Sequence, residues 1–267
     1  ITSEKPDFIF HLAAQALVGD SYDDPKNTWN TNLIGTLNVI DSLRYLKNKC
    51  NVVLITSDKC YYNREWLWGY KETDTLGGDD PYSASKAATE LLIHSHIKSF
   101  YNNSKFIRIS SARAGNVIGG GDWSQNRIIP DCFKSWINKK PVKIRNFNST
   151  RPWQFVLEPL YGYLKLGYYL NKSKINYHGE SFNFGPDSNS EHTVLEVLNE
   201  IKKQFPQACW KSIKKKTIKE STLLKLNCDK SLNLLNWKCA LTFQETIKYT
   251  VYWYNNFIIS PNKIDKI

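Results

Sequence analysis

The 267-residue sequence has no methionine and only 13 glycines, and its longest glycine run, Gly119-Gly120-Gly121, falls well inside the chain. No glycine-rich turn therefore stands beside the first apolar run, Asp7 to Leu12. No apolar stretch approaches bilayer length, and neither a signal peptide nor a transit peptide is visible, so a membrane role is not expected. The six cysteines (Cys50, Cys60, Cys132, Cys209, Cys228, Cys239) form no C-x-x-C pair and join no histidine cluster. Zinc and redox motifs are thereby excluded, free thiols are expected, and no metal is expected either, since His94 and His96 would face different sides of a helix. Repeats and low-complexity linkers are also missing. What is abundant is aromatic and basic: 9 Trp, 15 Tyr and a net charge of +11. A hydrophobic content of 41% excludes disorder, and the length allows one large or two modest domains. The densest basic stretch, Lys211 to Lys219, reads as a solvated segment, and no nucleic-acid function follows from the charge.

Strand and helix signals alternate through the first hundred residues: strand 7–12, helix about 27–47, strand 51–56, helix 81–102, strand 105–111. Such alternation predicts a parallel sheet with helices on both faces. The run Asn51 to Thr56 is short, β-branched and apolar, as a strand buried on both faces must be. Ser57-Asp58-Lys59 follows it directly and would project from the sheet's carboxyl edge, where ligands bind in open α/β folds. Tyr82 and Lys86 stand four apart at the head of the next helix, so both side chains lie on one side. An ammonium near a phenol favours the phenolate, which predicts a lowered pKa for Tyr82. Five other Tyr/Lys pairs share this spacing (Tyr22/Lys26, Tyr45/Lys49, Tyr101/Lys105, Tyr161/Lys165, Tyr168/Lys172) and read as solvated faces. Position after the polar strand end, with small neighbours Ser83, Ala84 and Ser85, singles out Tyr82/Lys86. Between them runs Tyr61 to Asp80, a loop long enough to suggest an active-site cover, with Trp66, Trp68 and Tyr70 expected to pack.

Beyond Asn116 the pattern is less regular. A helix is expected near Pro130 to Asn138, a strand near Val142 to Arg145, and a strand-helix segment around Gln154 to Leu170. Phe182 to Pro186 reads as a last strand and turn, and helices are expected at Thr193 to Gln204 and Thr242 to Asn256.

Asp-Lys at a strand end followed by Pro81-Tyr-Ser-Ala-Ser-Lys86 resembles the extended short-chain dehydrogenase/reductase family, specifically its nucleotide-sugar 4,6-dehydratases. His11-Leu-Ala-Ala-Gln15, Thr31-Asn-Leu-Ile-Gly-Thr36, Arg113-Ala-Gly-Asn-Val-Ile-Gly-Gly-Gly-Asp-Trp123, Thr150-Arg-Pro-Trp-Gln154 and Leu157-Glu-Pro159 support it, from about residue 6 to about residue 256. Tyr-x-x-x-Lys belongs to the whole superfamily, Asp-Lys marks the dehydratases, and Gly-Gly-Gly-Asp-Trp with Arg-Pro-Trp-Gln points to the branch acting on CDP-glucose. The resemblance implies an α/β fold with a Rossmann-type parallel sheet lacking its first strands and a smaller, interleaved substrate-binding lobe. Residues 1–115 and about 151–187 would form the partial NAD-binding part, residues 116–150 and about 188–256 the substrate lobe. The phosphate-cradling glycine turn and the acidic ribose partner of such folds should come before everything described above. Their absence, with Ile1 as first residue, leads us to expect a piece of a longer enzyme whose opening strand has an unpaired edge.

For the reaction, the resemblance implies Ser57, Asp58, Lys59, Tyr82 and Lys86 as catalytic residues. Tyr82 would take the C4 hydroxyl proton, Asp58 would protonate the departing C6 oxygen, Lys59 would act at C5, and Ser57 would hydrogen-bond near the C4 oxygen. Ala13, Ala14, Tyr82 and Lys86 would face NAD, and Asn116 and Arg151 the nucleotide diphosphate, although Arg151 beside Pro152 and Trp153 also suits a loop anchor. Gly19-Asp20 departs from the family, which commonly has a basic residue there. A cytoplasmic homodimer, joined through helices 27–47 and 81–102, is expected. The alternatives are another nucleotide-sugar epimerase or dehydratase, a decarboxylase, or a non-catalytic nucleotide-sugar-binding fragment.

Overall fold

The computed structural model describes residues 1–172, 175–187, 190–213 and 223–259. Its centre is a four-stranded parallel sheet of order β1-β2-β3-β8, from β1 (Phe8–His11), β2 (Cys50–Ile55), β3 (Ile107–Ala114) and β8 (Ser181–Phe184). In β2 five of six residues are buried, and both of its edges are paired, so the unbroken apolar run is the signature of an internal strand. Strand β1 is an edge, pairing only with β2 among the described residues.

Helices cover both faces. Between β1 and β2 come α1 (Val18–Asp23), α2 (Pro25–Trp29), a widened π turn (Asn30–Ile34) and α3 (Gly35–Ser42). After β2 comes α4 (Pro81–His96), started by Pro81 in its first turn and by the Asp80 carboxylate, which accepts from the Ser83 amide at 2.9 Å. Ile40, Leu43, Ile93 and Ile97 from these helices bury Val52, Leu54, Ile107 and Ile109 on one face of the sheet. On the other face α6 (Leu157–Lys172) and α8 (Asp229–Leu235) join Val53, Ala112, Phe182, Phe184 and Trp237.

A further core gathers α5 (Ile128–Ile137), α7 (Val194–Gln204) and α9 (Phe243–Ile259), where Phe133 stacks on Tyr254 at 4.0 Å and Val197, Ile201, Ile247 and Val251 close around them. Short strand pairs stitch this part together: β4 (Val117–Ile118) with β7 (Gln154–Phe155), β5 (Val142–Ile144) with β10 (Trp210–Ser212), and β6 (Thr150–Arg151) with β9 (His192–Thr193). Within the loop 61–80, Tyr70 packs as expected, stacking on Tyr61 at 5.2 Å and exchanging backbone hydrogen bonds with Lys225 and Asn227, and Trp66 lies against it, whereas Trp68 leans on Trp66 but stays 60% exposed.

Three expectations change. Tyr101 does not lie on a solvated face; it is 3% exposed and donates its hydroxyl to the Ile40 carbonyl at 2.5 Å, clamping α3 beneath the turn that follows α4. Lys211 and Ser212 are solvent-facing but belong to β10, because Trp136 and Val142 hold that segment through the carbonyl of Cys209; residues 214–219 lie outside the described residues. Helix α8 was not expected, yet it has a readable stop signal: Asn236 follows Leu235 in the left-handed conformation at φ 48°.

Candidate active site

The carboxyl end of β2 turns at once into a single 3₁₀ turn, Asp58–Cys60, because the Ser57 hydroxyl accepts from the Lys59 amide at 3.2 Å. The same hydroxyl donates to Asp58 Oδ1 at 2.9 Å, fixing the carboxyl group in a buried position. Helix α4 packs against this turn and brings Tyr82 and Lys86 beside it, both buried. The Lys86 ammonium lies 6.0 Å from the centre of the Tyr82 ring.

Burial sets the protonation of all three. It raises the Asp58 carboxyl above its ordinary value despite Lys59, Ser57 and Arg151. It pushes the Tyr82 phenol up to about 12, helped by the Asp58 charge and opposed by Ser57 and Arg127. It brings Lys86 down to about 8 although Cys60 and Glu90 favour its charge. The expectation that Lys86 lowers Tyr82 is thus not met in the chain alone. Desolvation of the phenol outweighs an ammonium that sits 6.0 Å from its ring and is itself desolvated.

Around these groups stand the other residues read from the sequence. Gly115 leaves β3 so close to the turn that a Cβ there would come 3.0 Å from Asp58 Oδ2. We therefore expect Gly115→Ala to displace the carboxyl by a few tenths of an ångström and to lower turnover about tenfold while leaving the melting temperature unchanged, which steady-state kinetics and a melt will check. Asn116 comes next, half-buried, its carbonyl accepting from the Gln154 amide at 3.1 Å. Arg151, in β6, is near enough to Asp58 to be felt by it, and it also donates to the Thr150 carbonyl at 2.7 Å. Lys59 is half-buried beside Asp58. Ala13 and Ala14 lie in the segment that follows β1, which Asn32 holds to α4 by bonding the Gln15 amide (2.9 Å), the Gln15 carbonyl (3.1 Å) and the Ser85 hydroxyl (2.9 Å).

Beneath the site lies a polar network that sequence reasoning missed. Glu90, one turn after Lys86, accepts from Thr56 Oγ1 at 2.5 Å, Ser111 Oγ at 2.9 Å and Arg113 Nη2 at 2.7 Å. Arg113 also donates to Tyr61 Oη at 2.7 Å, and Tyr61 to Asn183 Oδ1 at 2.8 Å. Burial would raise Glu90, but the Arg113 guanidinium and these hydrogen bonds win and hold its carboxyl below the ordinary value. The available signal was a charged residue at helical spacing from Lys86 on the inward side of α4. Arg127, at the head of α5 and paired with Asp122 at 3.3 Å, was missed too, though its charge reaches Tyr82.

The arrangement holds a buried carboxyl raised above its ordinary value, a phenol and a buried ammonium at one sheet edge, and known proteins share both sequence and fold with it. The chain is 40% identical over 263 residues to the CDP-glucose 4,6-dehydratase of Salmonella typhimurium, spanning 97% of this chain and 73% of that one. It is 26% identical over 222 residues to the CDP-paratose 2-epimerase of Salmonella typhi, covering 74% of this chain and 63% of the relative. Among solved structures, an epimerase of Methanothermobacter thermautotrophicus superposes with a TM-score of 0.84 at 25% identity, over 99% of this chain and 75% of that one. A UDP-glucuronic acid 4-epimerase of Bacillus cereus, solved with UDP-glucuronic acid and NAD, gives 0.83 at 19% identity over 95% of this chain and 77% of its own. The family described as GDP-mannose 4,6 dehydratase matches residues 1–250, and the chain belongs to it, as a nucleotide-sugar dehydratase of the extended short-chain dehydrogenase/reductase type.

Proposed function

We propose that the protein removes water from CDP-glucose, using NAD, to give CDP-4-keto-6-deoxyglucose, a step toward the deoxysugars of surface polysaccharide. The observation that carries this reading is the buried Asp58, fixed by the Ser57 hydroxyl within electrostatic reach of Tyr82, its carboxyl raised by burial as suits a proton donor. The 40% identity to a CDP-glucose 4,6-dehydratase supports it. Epimerisation by hydride transfer alone has no step that needs such a donor.

The residues present fit the nicotinamide end of the cofactor. Lys86 is 4% exposed and its ammonium has no hydrogen-bond partner among the described residues, which suits ribose hydroxyls. Ala13 and Ala14 add no bulk where the dinucleotide would approach, and Tyr82 stands beside Lys86. Bound there, NAD would supply the hydride acceptor for C4 and the hydride donor for C6.

The chain's own groups do the rest. Tyr82 is a neutral phenol while the protein is alone, and the hydrogen bond from Ser57 with the positive charge of Arg127 favours the phenolate that takes the C4 hydroxyl proton. Ser57 holds Asp58 in place and hydrogen-bonds near the C4 oxygen. Once C4 is a ketone the C5 proton is acidic; Lys59 removes it, Asp58 gives its proton to the departing C6 oxygen so that water leaves, and Lys59 returns its proton to C5 when C6 regains hydride. Asn116 and Arg151 hold the diphosphate, Arg151 by paired hydrogen bonds. Residues 116–150 and 188–256 serve as the substrate lobe, and 1–115 with 151–187 as the cofactor lobe.

Exposed Ile34, Tyr45, Leu91 and Phe100 along α2 to α4 support a homodimer built on a four-helix contact. Among the described residues no helix is long and apolar enough to cross a membrane, in keeping with work in the cytoplasm. The test is mass spectrometry of CDP-glucose incubated with the protein and NAD. A product lighter by one water is expected; unchanged substrate, or an isomer of equal mass, would overturn the reading.

A further inference from the structure

The turn that carries Ser57, Asp58 and Lys59 is gripped at both ends by side chains that meet in one network. On its near side Thr56 leaves the strand, its amide bound to the Ala112 carbonyl at 2.9 Å and its hydroxyl donating to Glu90 Oε1 at 2.5 Å. On its far side stands Tyr61, its amide bound to the Asp58 carbonyl at 3.3 Å and its phenol accepting from Arg113 Nη1 at 2.7 Å. Arg113 Nη2 donates to Glu90 Oε2 at 2.7 Å, so Thr56, Glu90, Arg113 and Tyr61 form a circuit that the backbone of residues 57–60 closes. All four are buried, and Glu90 belongs to α4, one turn after Lys86.

The polarity at Tyr61 is fixed by its second partner. Both amide hydrogens of Asn183 are spent on carbonyls, those of Tyr70 at 2.9 Å and Asn227 at 3.0 Å, so its Oδ1 faces Tyr61 as an acceptor. The phenol therefore gives its one proton to Asn183 at 2.8 Å and turns its lone pairs to Arg113, whose guanidinium can only donate. Asn183 is 0% exposed, and its backbone amide and carbonyl are held by Glu72 and Ser231, so the anchor is itself tied down. Burial outweighs the Arg113 charge and raises the Tyr61 phenol well above its ordinary value, which keeps it neutral.

What the circuit joins gives it a consequence for turnover. In the reading above, on which this step rests, Tyr82 and Lys86 of α4 serve the oxidation at C4, whereas Asp58 and Lys59 of the turn serve the loss of water. We infer that Tyr61 is a positioning residue for the water-loss half: by anchoring the far end of the turn to Arg113 and Asn183, it holds Asp58 and Lys59 in register with Tyr82 and Lys86. In this role it touches neither substrate nor cofactor and exchanges no proton with them.

The test compares two variants that each lose one buried phenol. Tyr61→Phe deletes the hydroxyl and keeps the ring that stacks on Tyr70. Tyr101→Phe deletes the bond to the Ile40 carbonyl, outside the circuit. Each should lower the melting temperature by about 2–6 °C. With CDP-glucose and NAD, at a temperature where both are folded, Tyr61→Phe should lower kcat about tenfold at unchanged KM and accumulate NADH absorbance during turnover, because oxidation outruns water loss. Tyr101→Phe should match wild type in all three. Thr56→Val opens the circuit at its other end and should reproduce the Tyr61→Phe kinetics, with the double variant within about twofold of either single one, since an open circuit has no second end to lose. Should Tyr61→Phe not fold, Thr56→Val alone decides, and wild-type kinetics there overturn the inference. Tyr61→Phe kinetics that match Tyr101→Phe, or two effects that multiply in the double variant, would overturn it too and leave the dehydratase reading standing. Failure of wild type to dehydrate CDP-glucose would overturn that reading and this inference together.

Discussion

Asp58→Asn will stop water loss while sparing the first half of the reaction. The amide is isosteric with the carboxyl and still accepts from the Ser57 hydroxyl, which donates at 2.9 Å in the native site, so the turn Asp58–Cys60 keeps its geometry. What disappears is the transferable proton. A positioned acid contributes about 10²–10⁴-fold, and the rate of CDP-4-keto-6-deoxyglucose formation should fall by that much. In the proposed mechanism oxidation at C4 falls to Tyr82 and Lys86, whose side chains the substitution leaves in place, so NADH absorbance should rise in the variant and then stall instead of returning to baseline. In heavy water the stalled ketone should also exchange its C5 proton. A variant that still releases water at the native rate would remove Asp58 from the mechanism and leave its burial without a chemical role.

The legible part of this site was the part whose residues are close in sequence. Ser57, Asp58 and Lys59 follow an unmistakable buried strand, and Tyr82 with Lys86 opens a helix that starts with Pro81 and an Asp80 cap; each rests on a local rule. The same is true of the parallel sheet, since alternating strand and helix signals require only neighbours along the chain. What pattern reading could not supply was how these groups are solvated. Spacing predicts that Lys86 faces Tyr82, and it does, but the direction of the Tyr82 shift depends on how much protein encloses both. Tyr101 and Tyr163 show the same limit. Their spacing to a lysine, or lack of one, said nothing, because one is buried by α3 and the other by Phe184, each a contact across the fold. Helix α8 and strand β10 escaped for a related reason: both are short, and their order comes from packing against residues far away in sequence.

Glu90 and Arg113 carry the largest expected effect on stability, and the sign of its pH dependence follows from their environment. Both side chains are 3% exposed and meet at 2.7 Å, tying α4 to β3 under the Asp58–Cys60 turn. Removing one partner of such a pair leaves a buried charge uncompensated, at a cost of about 3–5 kcal/mol. Glu90→Gln should therefore lower the unfolding free energy by that amount in urea titrations at pH 7, and Arg113→Met by a similar amount. The double variant should be less destabilised than the sum, because neither orphan charge remains. Glu90's carboxyl lies below its ordinary value of 4.5 in the folded protein, so folding favours its charged form. Its contribution is complete above the unfolded value and is lost as pH falls through the lowered folded value; the gap between wild type and Glu90→Gln should be constant near neutrality and close in acid. The variant should act on the site as well. Glu90 is one of the charges that favour the Lys86 ammonium, which burial already brings down to about 8, so without it Lys86 should lose its proton at still lower pH. The alkaline limb of the turnover profile should then move to lower pH in Glu90→Gln. A variant as stable as wild type would show that the network does not hold the fold, and an alkaline limb that stays in place would show that it does not set the charge of Lys86.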